Sequence, residues 1–212
     1  LGVPLHAALL DREHPARPPA RVPVAALVSL AGVERAGAPA APPDPRAVLR
    51  AVTDHVAAGY KTVKLKLGGD YAAELEQLLG IRAEYPYLKL RLDVNGAWTP
   101  AEARARAGEL KQKVNPELIE QPVGPEALLG FGNAGVPIAA DESVRLPGAV
   151  DDLVGPAGCA FLVLKPMVLG GLRACQRLAD AAFEEGSGVI VSHTFGGPVA
   201  HAAACELALA LA

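Results

Sequence analysis

Two rhythms of apolar and polar positions run along the chain, and the switches between them mark seven short apolar runs separated by longer Ala-rich stretches. The short runs are Val24–Ser29, Thr62–Leu67, Leu88–Asp93, Leu118–Gln121, Ile138–Asp141, Phe161–Lys165 and Val189–His193, each of strand length and most rich in Val, Ile and Leu. Between them the pattern predicts helices near Pro45–Ala58, Ala72–Tyr85, Pro100–Lys113, Pro125–Asn133, Leu172–Glu185 and Val199–Ala212, with a weaker one near Gly148–Leu153. Several open on Pro or an acidic residue, as helix starts prefer. Residues 1–23, Pro-rich from Arg12 to Pro23, read as a lead-in, and residues 24–212 as one α/β domain.

Seven consecutive βα units imply a parallel sheet with right-handed crossovers, either an open doubly wound sheet or a barrel. The ionisable residues choose between them. Lys66, Asp93, Glu120, Asp141 and Lys165 each end a predicted strand, one per βα unit and always at the same end. A barrel gathers those ends into a ring at its C-terminal mouth, where barrel enzymes place their active sites. An open sheet would string them out along a line, because strands sit about 4.8 Å apart. The expected fold is therefore a TIM-like barrel.

Composition narrows the partners. Of 212 residues, 51% are hydrophobic but only 4% aromatic, so the core is built from Ala, Val and Leu. A net charge of −3 supplies no field that would gather nucleic acid or an anionic membrane, which leaves a small molecule as the expected partner. Cys159, Cys175 and Cys205 form no metal or redox motif and read as reduced thiols of a cytoplasmic protein. No apolar run approaches the roughly 18 residues of a membrane span. Both ends read as cut, since the chain opens at Leu1 and stops at Ala212 inside an apolar helical run without a stop signal.

The chemistry lies on the strand faces. Period-two alternation in Thr62–Leu67 puts Lys64 and Lys66 on one face and Val63, Leu65 and Leu67 on the other. Arg91, Asp93 and Asn95 repeat that parity on the next strand, and Lys165 ends the sixth run. An exposed edge strand would also carry Lys-x-Lys, but parallel strands are usually covered on both faces. Asp93, Glu120 and Asp141 supply three hard carboxylates from three successive strand ends, a donor set that suits Mg²⁺, with Mn²⁺ as the alternative. Each alone could equally be a helix cap or a loop carboxylate. Together, between a lysine strand on either side, they fit a site that removes a proton next to a substrate carboxylate and offsets the doubled negative charge this creates. A lysine acting as base must first be neutral, and Lys64, on the same face as Lys66, is placed to help.

These residues resemble the enolase superfamily, and within it the muconate-lactonizing-type subgroup, in Lys64-Leu65-Lys66, Asp93, Glu120, Asp141 and Lys165. A closer resemblance is to the o-succinylbenzoate synthases of menaquinone synthesis, carried by Arg91-Leu92-Asp93-Val94-Asn95-Gly96-Ala97-Trp98-Thr99, Ile119-Glu120-Gln121-Pro122, Asp141-Glu142-Ser143 and Val163-Leu164-Lys165-Pro166. The resemblance implies a (β/α)7β barrel, here incomplete, with the N-terminal capping domain and last strand outside the chain. It implies metal ligation by Asp93, Glu120 and Asp141, Lys66 as base, and Lys165 as a cation facing the substrate. The reaction it implies is syn-dehydration of 2-succinyl-6-hydroxy-2,4-cyclohexadiene-1-carboxylate. Asn95, Ser192 and Thr194 are the candidate substrate contacts.

The same site would serve a dipeptide epimerase, an N-acylamino-acid racemase or a muconate cycloisomerase, since two lysines across a metal also permit proton return to carbon. A Schiff-base barrel using Lys165 and a non-catalytic barrel, or an inactive fragment, are the more distant readings. His193 tempts a reading as acid or base, whereas His201 reads as a helix residue, His55 as a surface one, and His6 and His14 as parts of the lead-in. Gly68-Gly69 and Gly170-Gly171 match no nucleotide fingerprint and read as turn glycines.

Overall fold

The computed structural model describes residues 5–10, 21–30, 44–156, 158–194 and 196–212. In chain order the elements are α1 (Leu5–Leu10), β1 (Ala26–Ser29), α2 (Pro45–Ala57), β2 (Thr62–Lys66), α3 (Tyr71–Glu84), β3 (Lys89–Asp93), α4 (Pro100–Lys113), β4 (Leu118–Glu120), α5 (Pro125–Leu128), β5 (Ile138–Ala140), α6 (Val150–Leu153), β6 (Phe161–Leu164), α7 (Leu172–Glu184), β7 (Gly188–Val191) and α8 (Gly197–Leu211). A 3₁₀ turn, Glu142–Arg145, follows β5. Two compact bodies divide the chain, Val24–Ile138 and Leu1–Pro23 with Ala139–Ala212.

In the body Val24–Ile138 the strands run parallel in chain order. The register sets Lys64 beside Arg91, Lys66 beside Asp93, and Asp93 beside Glu120. Backbone bonds carry the ladder past the strand ends, with Leu67 N–H donating to the Asp93 carbonyl and Val94 N–H to that of Glu120. Val63, Leu65, Leu90, Leu92, Leu118 and Ile119 are fully buried, as are Leu78 and Ile81 of α3 and Leu110 of α4. Burying one such side chain contributes about 1.5–3 kcal/mol, so the face shared by Val63, Leu65, Leu90, Leu92 and Ile119 fixes which way the lysines point, while Leu118 lies beside Arg91 on the lysine face. Caps start the helices: Asp44 precedes α2, Asp70 precedes α3, and Thr99 with Glu102 forms a reciprocal capping box on α4 with Pro100 in its first turn. Arg82 gathers the far ends of α3 and α4 by donating to the carbonyls of Val114, Tyr85, Pro86 and Leu88.

In the other body, Ala139 pairs with Phe161, and Leu162 and Leu164 with Val189 and Val191, again parallel. Gly188 is required by close approach, since a Cβ there would lie 2.8 Å from the Phe161 ring. The segment read as a lead-in contributes α1, whose Leu9 is buried and whose carbonyl accepts from Arg173 and Gln176 of α7. Helix α5 is shorter than its pattern, which extends to Asn133. Gly130 follows it closely and Gly132 takes φ +68°, a combination that ends helix. No helix among the described residues is long and apolar enough to cross a membrane.

Candidate active site

The Lys-x-Lys parity holds in three dimensions. From β2, Lys64 reaches Asp93 Oδ2 at 2.8 Å and Glu120 Oε1 at 2.7 Å, while Lys66 stands 4.0 Å from the same Asp93 oxygen and donates to Asn95 Oδ1 at 3.1 Å. Both carboxylates are 1% exposed. Lys66 is the more open of the two lysines, with 42% of its side chain exposed against 20% for Lys64. Burial by itself would lower the Lys64 ammonium's pKa, but attraction to Glu120 and Asp93 and hydrogen bonds to both outweigh it and hold the pKa above the usual lysine value. Below this group, Glu117 is kept under the ordinary carboxylate range: burial pushes it up, and the hydrogen bonds from Arg91 and Lys89 more than reverse that.

The backbone around these carboxylates is locked. Asn95 and Gln121, directly after β3 and β4, adopt φ +49° and +40°, conformations that cost free energy for any residue with a Cβ. Asp93 Oδ1 accepts the Asn95 N–H at 3.1 Å, and Gln121 Nε2 donates to the Val123 carbonyl at 2.9 Å. Gly96 N–H donates to the Gln121 carbonyl and Trp98 N–H to that of Pro122, so the two loops continue the ladder to a bridge between Trp98 and Val123. Gly96, at φ +76°, leaves little room for a side chain: a Cβ would sit 3.3 Å from the Val123 carbonyl oxygen. Trp98 is held in turn by an edge-on contact with Tyr71 and by the Arg106 guanidinium over its ring. Burial and a hydrogen bond to Glu109 push the Tyr71 phenol well above its usual range, so it stays a neutral donor.

In the body containing Ala139–Ala212, Lys165 Nζ donates to Asp141 Oδ2, one residue beyond β6 meeting one residue beyond β5. Asp141 precedes the 3₁₀ turn without capping it through its side chain, so it does not act as the helix cap its sequence also allowed. The Ser192 N–H extends the ladder to the Leu164 carbonyl, and Thr194 follows in the loop. His193 meets the His201 ring edge-on at 5.0 Å, and His201 Nε2 lies 3.8 Å from Cys205 Sγ one turn along α8.

The structure thus brings Lys64, Lys66, Asp93, Asn95 and Glu120 together, and separately Asp141 with Lys165. Among the described residues, no group of three or more His, Cys, Asp or Glu side chains is close enough to hold a metal ion. Each of the three buried carboxylates takes its counter-charge from a lysine instead. The donor chemistry still fits a hard divalent cation: Asp93 and Glu120 converge on one positive charge with oxygen donors alone. Gly96, Gln121 and Trp98 stood in the sequence only as members of the motifs that carry the family resemblance, with no role of their own.

Residues 47–212 match a family described as enolase C-terminal domain-like. An L-Ala-D/L-Glu epimerase of Clostridium acetobutylicum is 31% identical over 172 residues, 78% of this chain and 48% of the relative. An o-succinylbenzoate synthase of Proteus mirabilis is 36% identical over 143 residues, 63% of this chain and 42% of the relative. The chain therefore spans less than half the length of either. Among solved structures, a dipeptide epimerase from Methylococcus capsulatus, complexed with Mg and the dipeptide L-Arg-D-Lys, is 26% identical. It aligns with a TM-score of 0.75 over 96% of this chain and 54% of its own.

Proposed function

Because the chain belongs to the enolase superfamily through its C-terminal domain, with the α/β fold of an incomplete TIM-like barrel, we propose that it is the catalytic domain of an enzyme that removes the proton alpha to a substrate carboxylate. The carrying observation is the group around Lys64: two buried carboxylates share one ammonium, and a second, more open lysine stands beside them.

In this reading Asp93, Glu120 and Asp141 would hold Mg²⁺, which when bound supplies positive charge to the substrate's carboxylate oxygens. Mn²⁺ has the same preference for oxygen donors. Lys66 Nζ takes the alpha proton, and the C–H electron pair moves into the carboxylate to give an enediolate. Lys165 presents its cation to that electron-rich system. Lys64 balances the charge of Asp93 and Glu120 while the proton is in transit. Asn95 orients Lys66 Nζ by accepting its hydrogen bond, and Ser192 and Thr194 would be the substrate contacts.

The outcome we propose is dehydration, as in an o-succinylbenzoate synthase. The enediolate collapses with loss of hydroxide, which leaves as water with the proton that Lys66 carries, and the ring becomes aromatic. The synthase relatives support this. A second reading, return of the proton to carbon as in a dipeptide epimerase, is favoured by the longer stretch of this chain that the epimerase match covers.

One pair of assays separates them. The full-length protein with Mg²⁺ is given the hydroxycyclohexadiene carboxylate, and loss of the diene absorbance is followed. In parallel, dipeptides are incubated in D₂O and read for deuterium at the alpha carbon. Diene loss supports dehydration. Dipeptide exchange without diene loss assigns epimerisation, and neither activity, with substrate and metal bound, removes the proton-abstraction reading.

A further inference from the structure

Glu74 lies in the first turn of α3, in a stretch whose pattern suggests nothing beyond an ordinary helix position. It is 3% exposed, which is unusual for a glutamate that makes no ion pair among the described residues. Its Oε1 accepts two successive backbone N–H groups, from Gly68 and Gly69, each at 2.8 Å. Its Oε2 is buried with no hydrogen-bond partner among the described residues. A helical side chain leans toward the N-terminus of its own helix, which sends this carboxylate back over Asp70 to the loop leaving β2. Gly68 takes φ +135°, a conformation open to glycine, and Glu74 Oε1 lies 3.4 Å from where a Gly69 Cβ would be. Consecutive N–H groups aimed at a single oxygen form a small anion nest.

That loop begins two residues after Lys66. Leu67 between them is 4% exposed, and its N–H donates to the Asp93 carbonyl. The chain carrying Lys66 is therefore fixed on one side by the ladder to β3 and on the other by Glu74. Burying a carboxylate with one oxygen unpartnered costs stability, and its one visible return is the fixed exit of β2.

We propose that Glu74 is the positioning residue for Lys66, setting the angle at which the ammonium leaves β2 by clamping Gly68 and Gly69. This rests on the assignment of Lys66 as the base. Its consequence is a kinetic one: the clamp contributes to proton transfer and not to substrate or metal affinity, because small displacements of a reacting group cost rate steeply.

The test uses the full-length protein with two substitutions, Glu74→Leu and Glu74→Gln. Two quantities are read: amide hydrogen exchange at Gly68 and Gly69, and the pre-steady-state rate of alpha-proton exchange with KM and Mg²⁺ affinity. We expect Glu74→Leu to lose at least tenfold in amide protection and about ten- to hundredfold in the proton-transfer rate, with KM and metal affinity within about twofold. Glu74→Gln keeps an acceptor oxygen and should recover most of both. Lost protection with an unchanged rate per folded molecule would overturn the proposal. If Glu74→Leu does not fold, Glu74→Asp, whose side chain is one methylene too short to reach both N–H groups, takes its place: protection and rate falling together support the clamp, and an unchanged rate overturns it. A Lys66→Ala variant that retains exchange sinks the base assignment, an outcome distinct from any of these.

Discussion

Replacing Lys64 with methionine tests the electrostatic centre directly. The substitution keeps most of the side-chain volume and removes the ammonium that Asp93 and Glu120 share. At the 2.8 and 2.7 Å separations of the two contacts, and an effective dielectric of about 20, each attraction amounts to roughly 6 kcal/mol before desolvation is subtracted. Desolvation consumes most of that gain. What remains is the penalty for leaving two carboxylates, each 1% exposed, without their shared cation. Breaking a buried pair by removing one partner costs about 3–5 kcal/mol, and the partial exposure of Lys64 puts the expectation near the lower end, about 3 kcal/mol. Denaturant unfolding of the full-length protein at pH 7.5 measures it. Mg²⁺ then supplies a second reading, because a cation at the proposed site of Asp93 and Glu120 would replace the lost charge. At about a hundredfold excess over its dissociation constant it returns about 2.7 kcal/mol to a folded state that binds it. Mg²⁺ should therefore stabilise Lys64→Met more than it stabilises the unsubstituted protein. A loss under about 1 kcal/mol, or a Mg²⁺ effect no larger in the variant, refutes the reasoning.

Three further expectations concern separate parts of the molecule. Lys66→Ala should abolish alpha-proton exchange while Mg²⁺ affinity, followed by calorimetry, stays within a few fold; near-normal exchange would remove Lys66 as base. Gly96→Ala forces a Cβ onto φ +76° and toward the Val123 carbonyl, so it should cost roughly 1–3 kcal/mol in unfolding experiments. Burial pushes the Cys159 thiol up to about 12 and Cys175 up to about 11, whereas Cys205 is exposed. One thiol should react promptly with a disulfide reagent at pH 8 and all three after denaturation. Because both shifted values lie above the unfolded thiol's, the stability these groups contribute is present below about pH 9 and lost as pH rises through 11 to 12. A stability that falls as steeply over this range in Cys159→Ala and Cys175→Ala variants as in the parent would contradict that attribution.

How much of this could be read in the sequence depends on which residues speak through period. The alternation in Thr62–Leu67 placed Lys64 and Lys66 on one face because a strand's side-chain period is two, and both do reach Asp93. The seven strands and their parallel order followed from apolar runs of strand length between helical stretches. Asp141, Lys165 and Ser192 each fall one residue beyond the strand their pattern included them in, since the apolar run signals burial while the ladder ends where loop geometry begins. Glu74 was illegible for a physical reason. Its value comes from two backbone N–H groups five and six residues upstream, and no hydrophobic pattern encodes a backbone donor. The helix at Leu5–Leu10 escaped for a similar reason: six residues are too few to show a period, and contacts to Arg173 and Gln176 hold it in place. Whether Asp141 joins Asp93 and Glu120 around one ion was suggested by strand-end spacing and family likeness, and it stands as part of the proposed function.

The stitched loops after β3 and β4 bear on how the protein withstands proteases. A connection leaving a strand is ordinarily where a chain is nicked first, because a protease must draw an extended segment of substrate backbone into its own cleft. Here the N–H groups of Val94, Gly96 and Trp98 are already committed to the neighbouring loop, and the indole that closes the seam is 5% exposed. To be cut between Asp93 and Thr99, the chain would first have to unzip the backbone that aims Asp93 and Glu120, so a molecule nicked there is one whose carboxylates have already let go of each other's frame.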